Sequence, residues 1–302
     1  MIVCCGAAIV DMVPDAVPGG CNMNVAITAA RLGAPTAFLG RVSTDPDGEM
    51  LIRHMADSGI DLSLIERGPE RTARAIVQTE PTPSFRFDAE GAADSALSRA
   101  DLSPIGPGPH IVHGGTNVEY RGSTAVVLAD LIERVDGLVS CDPNIRPALI
   151  DDRDDWYSWY SRWEQAAALY RCSEEDLAWI WPGRTSGSVA EELLARTTRV
   201  MIVTHGASPA EIHTRSWSGT SEPVPPVAIA DTVGAGDAFV GSILCDLHHL
   251  DIRTPEGLDS VEPADWRRLA DRANRIAAIT CTRVGADPPR IDELDDEPGL
   301  RR

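Results

Sequence analysis

One short run in this sequence joins an anion-binding turn to a carboxylate: Asp231-Thr232-Val233-Gly234-Ala235-Gly236-Asp237, followed by the apolar stretch Ala238-Phe239-Val240-Gly241-Ser242-Ile243-Leu244. The Gly-Ala-Gly side chains are too small to block an approaching anion. The apolar stretch reads as a buried helix starting at Ala235, whose first amides would be free to bind phosphate. Asp237 then puts a carboxylate where an anion should sit. That suits a general base, which takes a proton from a hydroxyl while the amides and helix dipole hold a transferring phosphoryl group. A helix cap on a tight turn would use the same residues, and the run alone does not separate the two readings. It is not a dinucleotide fingerprint, because Phe239 stands where the third glycine belongs.

A second cluster lies near the start: Asp11, then Gly19-Gly20-Cys21-Asn22-Met23-Asn24. Two glycines after the first strand let a ligand come close to backbone, and Asn24 falls one turn into the next helix. Asp11 ends the first strand, the edge at which open α/β sheets bind their ligands. A carboxylate and an amide converging there can each hold sugar hydroxyls. The plainer alternative is an Asp cap and a structural Asn bond.

Composition narrows the chemistry. All 27 basic residues among the 302 are Arg, so neither a Schiff-base lysine nor a Walker-A lysine is available. Phosphate must be handled by backbone amides, Arg and metal. The formal net charge of −19 repels phosphodiester backbones and anionic lipid, which argues against nucleic-acid and membrane partners. The seven cysteines include no C-x-x-C spacing, so no zinc ribbon or dithiol site is written here. The N-terminal apolar run lacks a basic flank and meets Asp11 at once, and no run approaches the ~20 residues needed to span a bilayer. A reduced, cytoplasmic protein is expected.

Strand-like and helix-like segments alternate along the chain. The pattern predicts strands at 2–10, 36–40, 111–113, 138–141 and 200–203. Helices are expected at 22–32, 48–58, 123–134, 156–169, from 235, and at 266–282. Such alternation means βαβ units and a mainly parallel sheet covered on both faces. Residues 72–87 break the pattern and alternate like a hairpin turning at Glu80-Pro81-Thr82-Pro83. The stripe Trp156, Trp159, Tyr160 and Trp163 marks one packed helix face. His110, His113, His248 and His249 read as solvated or capping residues, and His205 stays undecided.

These motifs together resemble the ribokinase/PfkB family of sugar kinases, and within it the bacterial fructokinases. The resemblance runs over essentially the whole chain. It rests on GGCNMNVAITAARLG, GAAD at 91–94, DPNIRP at 142–147, SEEDLAWIWPG, VTHGA, DTVGAGDAF and the closing AAITCTRVGADPP. It implies a three-layer α/β/α core over 1–10, 21–71 and 92–302, with a small β-lid from 11–20 and 72–91. It also implies an ATP-dependent transfer to a small neutral sugar, D-fructose first. Ribose, a nucleoside or an aminoimidazole riboside are the alternative acceptors, and an inactive sugar-binding relative the alternative role.

By the same resemblance Asp237 is the base, and Gly234, Ala235 and Gly236 form the anion hole. The sugar falls to Asp11, Gly19, Gly20, Asn24 and Arg146, and the nucleotide to Asn144, Ser173, Thr204, Gly206 and Asn274. Mg2+ is expected near Asp176 through water, and a monovalent cation, K+, near Asp231. A homodimer through the lid strands is the implied assembly. Three departures stand out. Asp176 replaces the family's longer Glu. The lid run before Ala89 lacks the Arg that would hold a sugar acid. Only seven residues separate Asp11 from Gly19, so that side of the lid is expected to be too short for a full strand pair.

Overall fold

The computed structural model describes residues 1–13, 15–78, 84–116, 120–224 and 226–294. The chain runs β1 (Ile2–Cys5), β2 (Ile9–Val13), β3 (Asp15–Gly19), α1 (Cys21–Arg31), β4 (Thr36–Ser43), α2 (Pro46–Asp57), β5 (Ile65–Gly68), β6 (Arg74–Gln78) and β7 (Ser84–Asp88). It continues through β8 (His110–Gly114), α3 (Gly122–Arg134), β9 (Gly137–Cys141), α4 (Arg153–Ala166), β10 (Leu169–Ser173), α5 (Glu174–Ile180), α6 (Ser186–Leu194) and β11 (Val200–His205). It ends with β12 (Ser208–Thr214), β13 (Ser218–Thr220), α7 (Ala235–His249), α8 (Pro255–Leu258) and α9 (Pro263–Cys281).

The main sheet has the order β13-β12-β11-β10-β9-β8-β1-β4-β5, parallel from β11 to β5 and closed at one edge by the antiparallel β12 and β13. Alternation in the strands divides the core. Ile2 and Cys4 of β1 join Leu169, Val200 and Ile202 in a cluster with α1, α7 and α9, whereas Val3 and Cys5 face Tyr170, Met201 and Val203 with α3, α4 and α6. Buried on both faces, these strands read as continuous apolar runs, as a parallel sheet requires, and the sheet is the mainly parallel one that strand–helix alternation predicts. The three-layer core is therefore present.

The apolar run at the N-terminus is two strands, not one. Gly6, at φ 127°, breaks it, and Ile9–Val13 leaves the main sheet for a second one of order β3-β2-β6-β7. The lid thus begins at Ile9, two residues before the expected boundary. The expectation of an incomplete strand pair is overturned as well: β2 and β3 pair antiparallel at five positions, from Ile9 opposite Gly19 to Val13 opposite Asp15. Five residues on each strand suffice for the pairing, so no longer insertion is needed. On its other side β2 pairs in parallel with β6, Val10 opposite Arg74. The 72–87 hairpin forms as β6 and β7; its turn at Glu80–Pro83 lies outside the described residues.

The helix expected to reach Leu169 stops at Ala166, and Leu169–Ser173 is strand β10. The three alanines 166–168 carry no breaker, so periodicity alone could not place that boundary. Trp156, Tyr160 and Trp163 are buried packing, as read from their spacing. His110, His113 and His248 are buried too, which corrects the solvated reading; burial pushes His113 down to about 3 and His248 to about 4.

Candidate active site

Helices α1 and α7 cross at close range because Gly241 has no side chain. A Cβ there would stand 2.5 Å from Thr28 Cβ and 2.8 Å from the Val25 carbonyl. One turn before this contact on each helix sit Asn24 and Asp237, so the crossing brings them together at the carboxyl edge of the sheet. Asn24 Nδ2 donates to Asp237 Oδ2 at 2.8 Å, and Asn144 Nδ2 donates to Oδ1 at 3.4 Å. Two amide donors, one on each oxygen, select the ionised carboxylate. Asp237 is buried, and burial pushes its carboxyl up to about 6 against the pull of Asn24, Arg146 and Arg171.

The turn before Asp237 is shaped for an anion. Gly234 is left-handed, φ 77°, and caps α7. Ala235 N donates to Thr232 O at 3.3 Å and Ala238 N to Gly234 O at 2.8 Å, so the Gly236 and Asp237 amides precede the helical ladder. Asp231 fastens the turn from outside: Oδ1 accepts Val233 N at 3.1 Å and Oδ2 accepts Gly285 N at 3.0 Å.

Asp11 lies on β2, and the absence of a side chain at Gly19 makes room for its carboxylate. Gly20, φ 114°, packs so close to Ala7 O that a Cβ would stand 2.6 Å from it. Burial raises Asp11 to about 6, opposed by Arg146 and reinforced by Asp231. In the small sheet the row Val17, Asp11, Ala75, Phe87 shares one face, so the lid meets the site with small and apolar side chains beside Asp11. Arg146 donates to Ile145 O at 3.0 Å, and its charge acts on Asp237.

Ser173 and Thr204 are register partners at the ends of β10 and β11, and Gly206 turns β11 into β12 with open space around its Cα. Asp176 is spent structurally. Its Oδ2 accepts Ser173 N at 3.0 Å and Ser173 Oγ at 2.8 Å, while Oδ1 accepts Ile145 N at 2.7 Å. The short side chain therefore makes a capping box and pins the 142–147 loop. Asn274 likewise holds a loop, donating to Ser221 Oγ at 2.9 Å and Glu222 O at 3.4 Å. His205 is tied to Glu174 at 3.2 Å.

Sequence reasoning missed Arg171. It lies 8% exposed in the middle of β10, with Nη1 on Asp142 Oδ2 at 2.8 Å and Nη2 on Thr204 Oγ1 at 2.5 Å. The available signal is a lone charge within the five-residue strand Leu169–Ser173, whose start the three preceding alanines blur.

A carboxylate at a helix start with free amides, with a second carboxylate, Asp11, on the small sheet, is an arrangement suited to phosphoryl transfer. The model of the pfkB family carbohydrate kinases matches residues 14–293. The chain belongs to that family. Among curated pfkB relatives, the fructokinase of Escherichia coli is 30% identical over 97% of each chain, and that of Klebsiella pneumoniae 33% identical over 85% of this chain and 87% of its own. A fructokinase from Xylella fastidiosa with bound ATP superposes with a TM-score of 0.88 at 27% identity, covering 97% of this chain and 96% of its own. A Vibrio cholerae O395 fructokinase with fructose, ADP and calcium ion superposes with a TM-score of 0.80 at 25% identity over 94% of each.

Proposed function

We propose that this protein transfers the γ-phosphoryl group of ATP to a hydroxyl of a small neutral sugar, D-fructose. The observation that carries the reading is Asp237, ionised between two amide donors at the free N-terminus of α7. Asp237 accepts the proton of the attacking hydroxyl, and the 234–237 turn stabilises charge on the group in transit. Asp11, with Gly19 and Gly20 behind it, takes sugar hydroxyls; Asn24 contributes by holding Asp237. Arg146 closes over the same pair of carboxylates. Thr204, Gly206 and Ser173 receive the nucleotide phosphates, while Asn144 orients the base and Asn274 acts through the 221–222 loop.

Mg2+ supplies charge neutralisation on the phosphates when bound. The residues fit an ion carried in by the nucleotide, because Asp176 and Asp142 already spend both carboxylate oxygens on hydrogen bonds. A monovalent cation, K+, would sit near the loop of Asp231, whose own carboxylate oxygens accept Val233 N and Gly285 N. None of the seven cysteines forms a disulfide, and no helix among the described residues is long and apolar enough to cross a membrane; a cytoplasmic location is part of this proposal.

Turnover of ATP against a sugar panel tests the reading. Fructose is expected to give the highest kcat/KM, ahead of ribose, aminoimidazole riboside and 2-keto-3-deoxygluconate. The acid should trail by at least ~10²-fold, since a buried carboxylate without a partner costs several kcal/mol. Higher kcat/KM for the acid overturns the neutral-sugar assignment. Because β2 and β3 pair at five positions, ATP hydrolysis without sugar is expected to be slow beside fructose phosphorylation.

We also propose a homodimer through the small sheet. Its outer strands β3 and β7 each present an unpaired backbone edge, which a second copy can extend. Light scattering after size exclusion should give twice the monomer mass; a monomer at micromolar concentration refutes it.

A further inference from the structure

Arg171 sits where an uncompensated charge would be costly. It is a cation inside a parallel strand, between Tyr170 and Cys172, which are fully buried on the opposite face. Isolated burial of such a group costs several kcal/mol, so its partners reveal what it does. It has two, from different parts of the site. Nη1 holds Asp142, whose other oxygen accepts the Asn144 amide at 3.2 Å; the Asn144 side chain in turn reaches Asp237. Nη2 holds Thr204 at the nucleotide end of β11. The guanidinium also lies directly beneath the anion turn: a Cβ on Gly236 would stand 3.0 Å from Nη2 and 3.2 Å from Nη1. Gly236 is thus small on its inner side as well as its outer one.

Resting on the kinase reading above, we propose that Arg171 is the positioning residue of this site, a single fork that locks the Asp142–Asn144–Asp237 chain to Thr204 and backs the anion turn with fixed positive charge. A planar guanidinium can serve two partners at once, whereas an ammonium on a flexible stem serves as a point charge. The sequence, which has no Lys, supplies the fork from the middle of the sheet. Its charge also draws Asp237 down against burial. Loss of the charge should therefore move the acid limb of the rate upward, an effect that slack packing alone would not produce.

The test uses R171M and R171K in the full chain, with circular dichroism to confirm folding. R171M should lose at least ~10-fold in kcat and at least ~10-fold in ATP affinity by calorimetry, the scale for removing a charge-assisted contact network. Its fructose KM should change by less than about threefold, and its acid limb should rise by about half a pH unit. R171K should keep the acid limb near wild type yet recover only part of kcat, because one ammonium cannot hold both partners. If R171M does not fold, R171K alone decides: a wild-type kcat and ATP affinity in R171K refute the fork. A folded R171M with wild-type kcat, ATP affinity and acid limb refutes the proposal outright. If wild type phosphorylates no sugar, the kinase reading fails separately, and ATP affinity in the two variants still tests the fork.

Discussion

D237N is expected to be more stable than wild type and at least ~10²-fold slower in kcat, with sugar and ATP binding nearly intact. The two effects have one cause. Burial raises the Asp237 carboxyl from its usual 3.8 to about 6, so above that pH the folded protein carries a charge it holds less readily than the unfolded chain does. A raised carboxylate destabilises the fold increasingly as pH climbs from about 4 to about 6, and by a constant amount above. Two units correspond to ~3 kcal/mol. Asparagine removes that penalty but turns an NH2 group toward one of the two donors, Asn24 or Asn144, returning ~1 kcal/mol. The net gain of ~2 kcal/mol should raise Tm by several degrees at pH 7.5 and fade by about pH 4.5. Wild-type kcat should fall below about pH 6 with the protonation of this group. A variant that keeps more than half of wild-type turnover, or melts no higher at pH 7.5, contradicts the assignment.

Much of this site could be read from the sequence because its parts are backbone-determined. Gly20 and Gly234 are needed at φ 114° and 77°, and a glycine pair before a small-residue helix says so in any fold. The mainly parallel sheet follows from the alternation of strands and helices, whereas its strand order comes only from the structure. What could not be read depended on distance in the chain. The bond from Asn24 to Asp237, 213 positions away, exists only through the α1–α7 crossing at Gly241. Asp176 was taken for a metal-side carboxylate; only the folded 142–147 loop shows that Ile145 N claims one oxygen. The short lid was judged by residue count, which says little once a tight hairpin lets five residues pair with five. Arg171 lies just past the expected helix end at Leu169, in a strand whose start three alanines blur.

The same dependence on backbone makes Gly234 the least replaceable residue of the anion turn. G234A should lower kcat/KM for ATP by at least ~10²-fold, as expected when preorganised donors to a transferring group are displaced. Two separable strains act. Alanine at φ 77° costs ~1 kcal/mol in the left-handed region. Its Cβ would also lie 2.5 Å from Ala286 Cβ and 2.9 Å from Ala286 Cα, and at that range backbone must move. The 285–286 segment resists, because Gly285 N is tied to Asp231, so the displacement passes to the amides of Gly236 and Asp237. Fructose affinity should change little, since Asp11 and Gly20 lie on other segments. Pairing G234A with A286G separates the terms in a double-mutant cycle: relief of the clash should restore part of kcat/KM, leaving the backbone cost behind. Full recovery in the double variant would mean that the left-handed conformation is incidental. A G234A enzyme within about threefold of wild type would mean that these amides are not what holds the phosphoryl group.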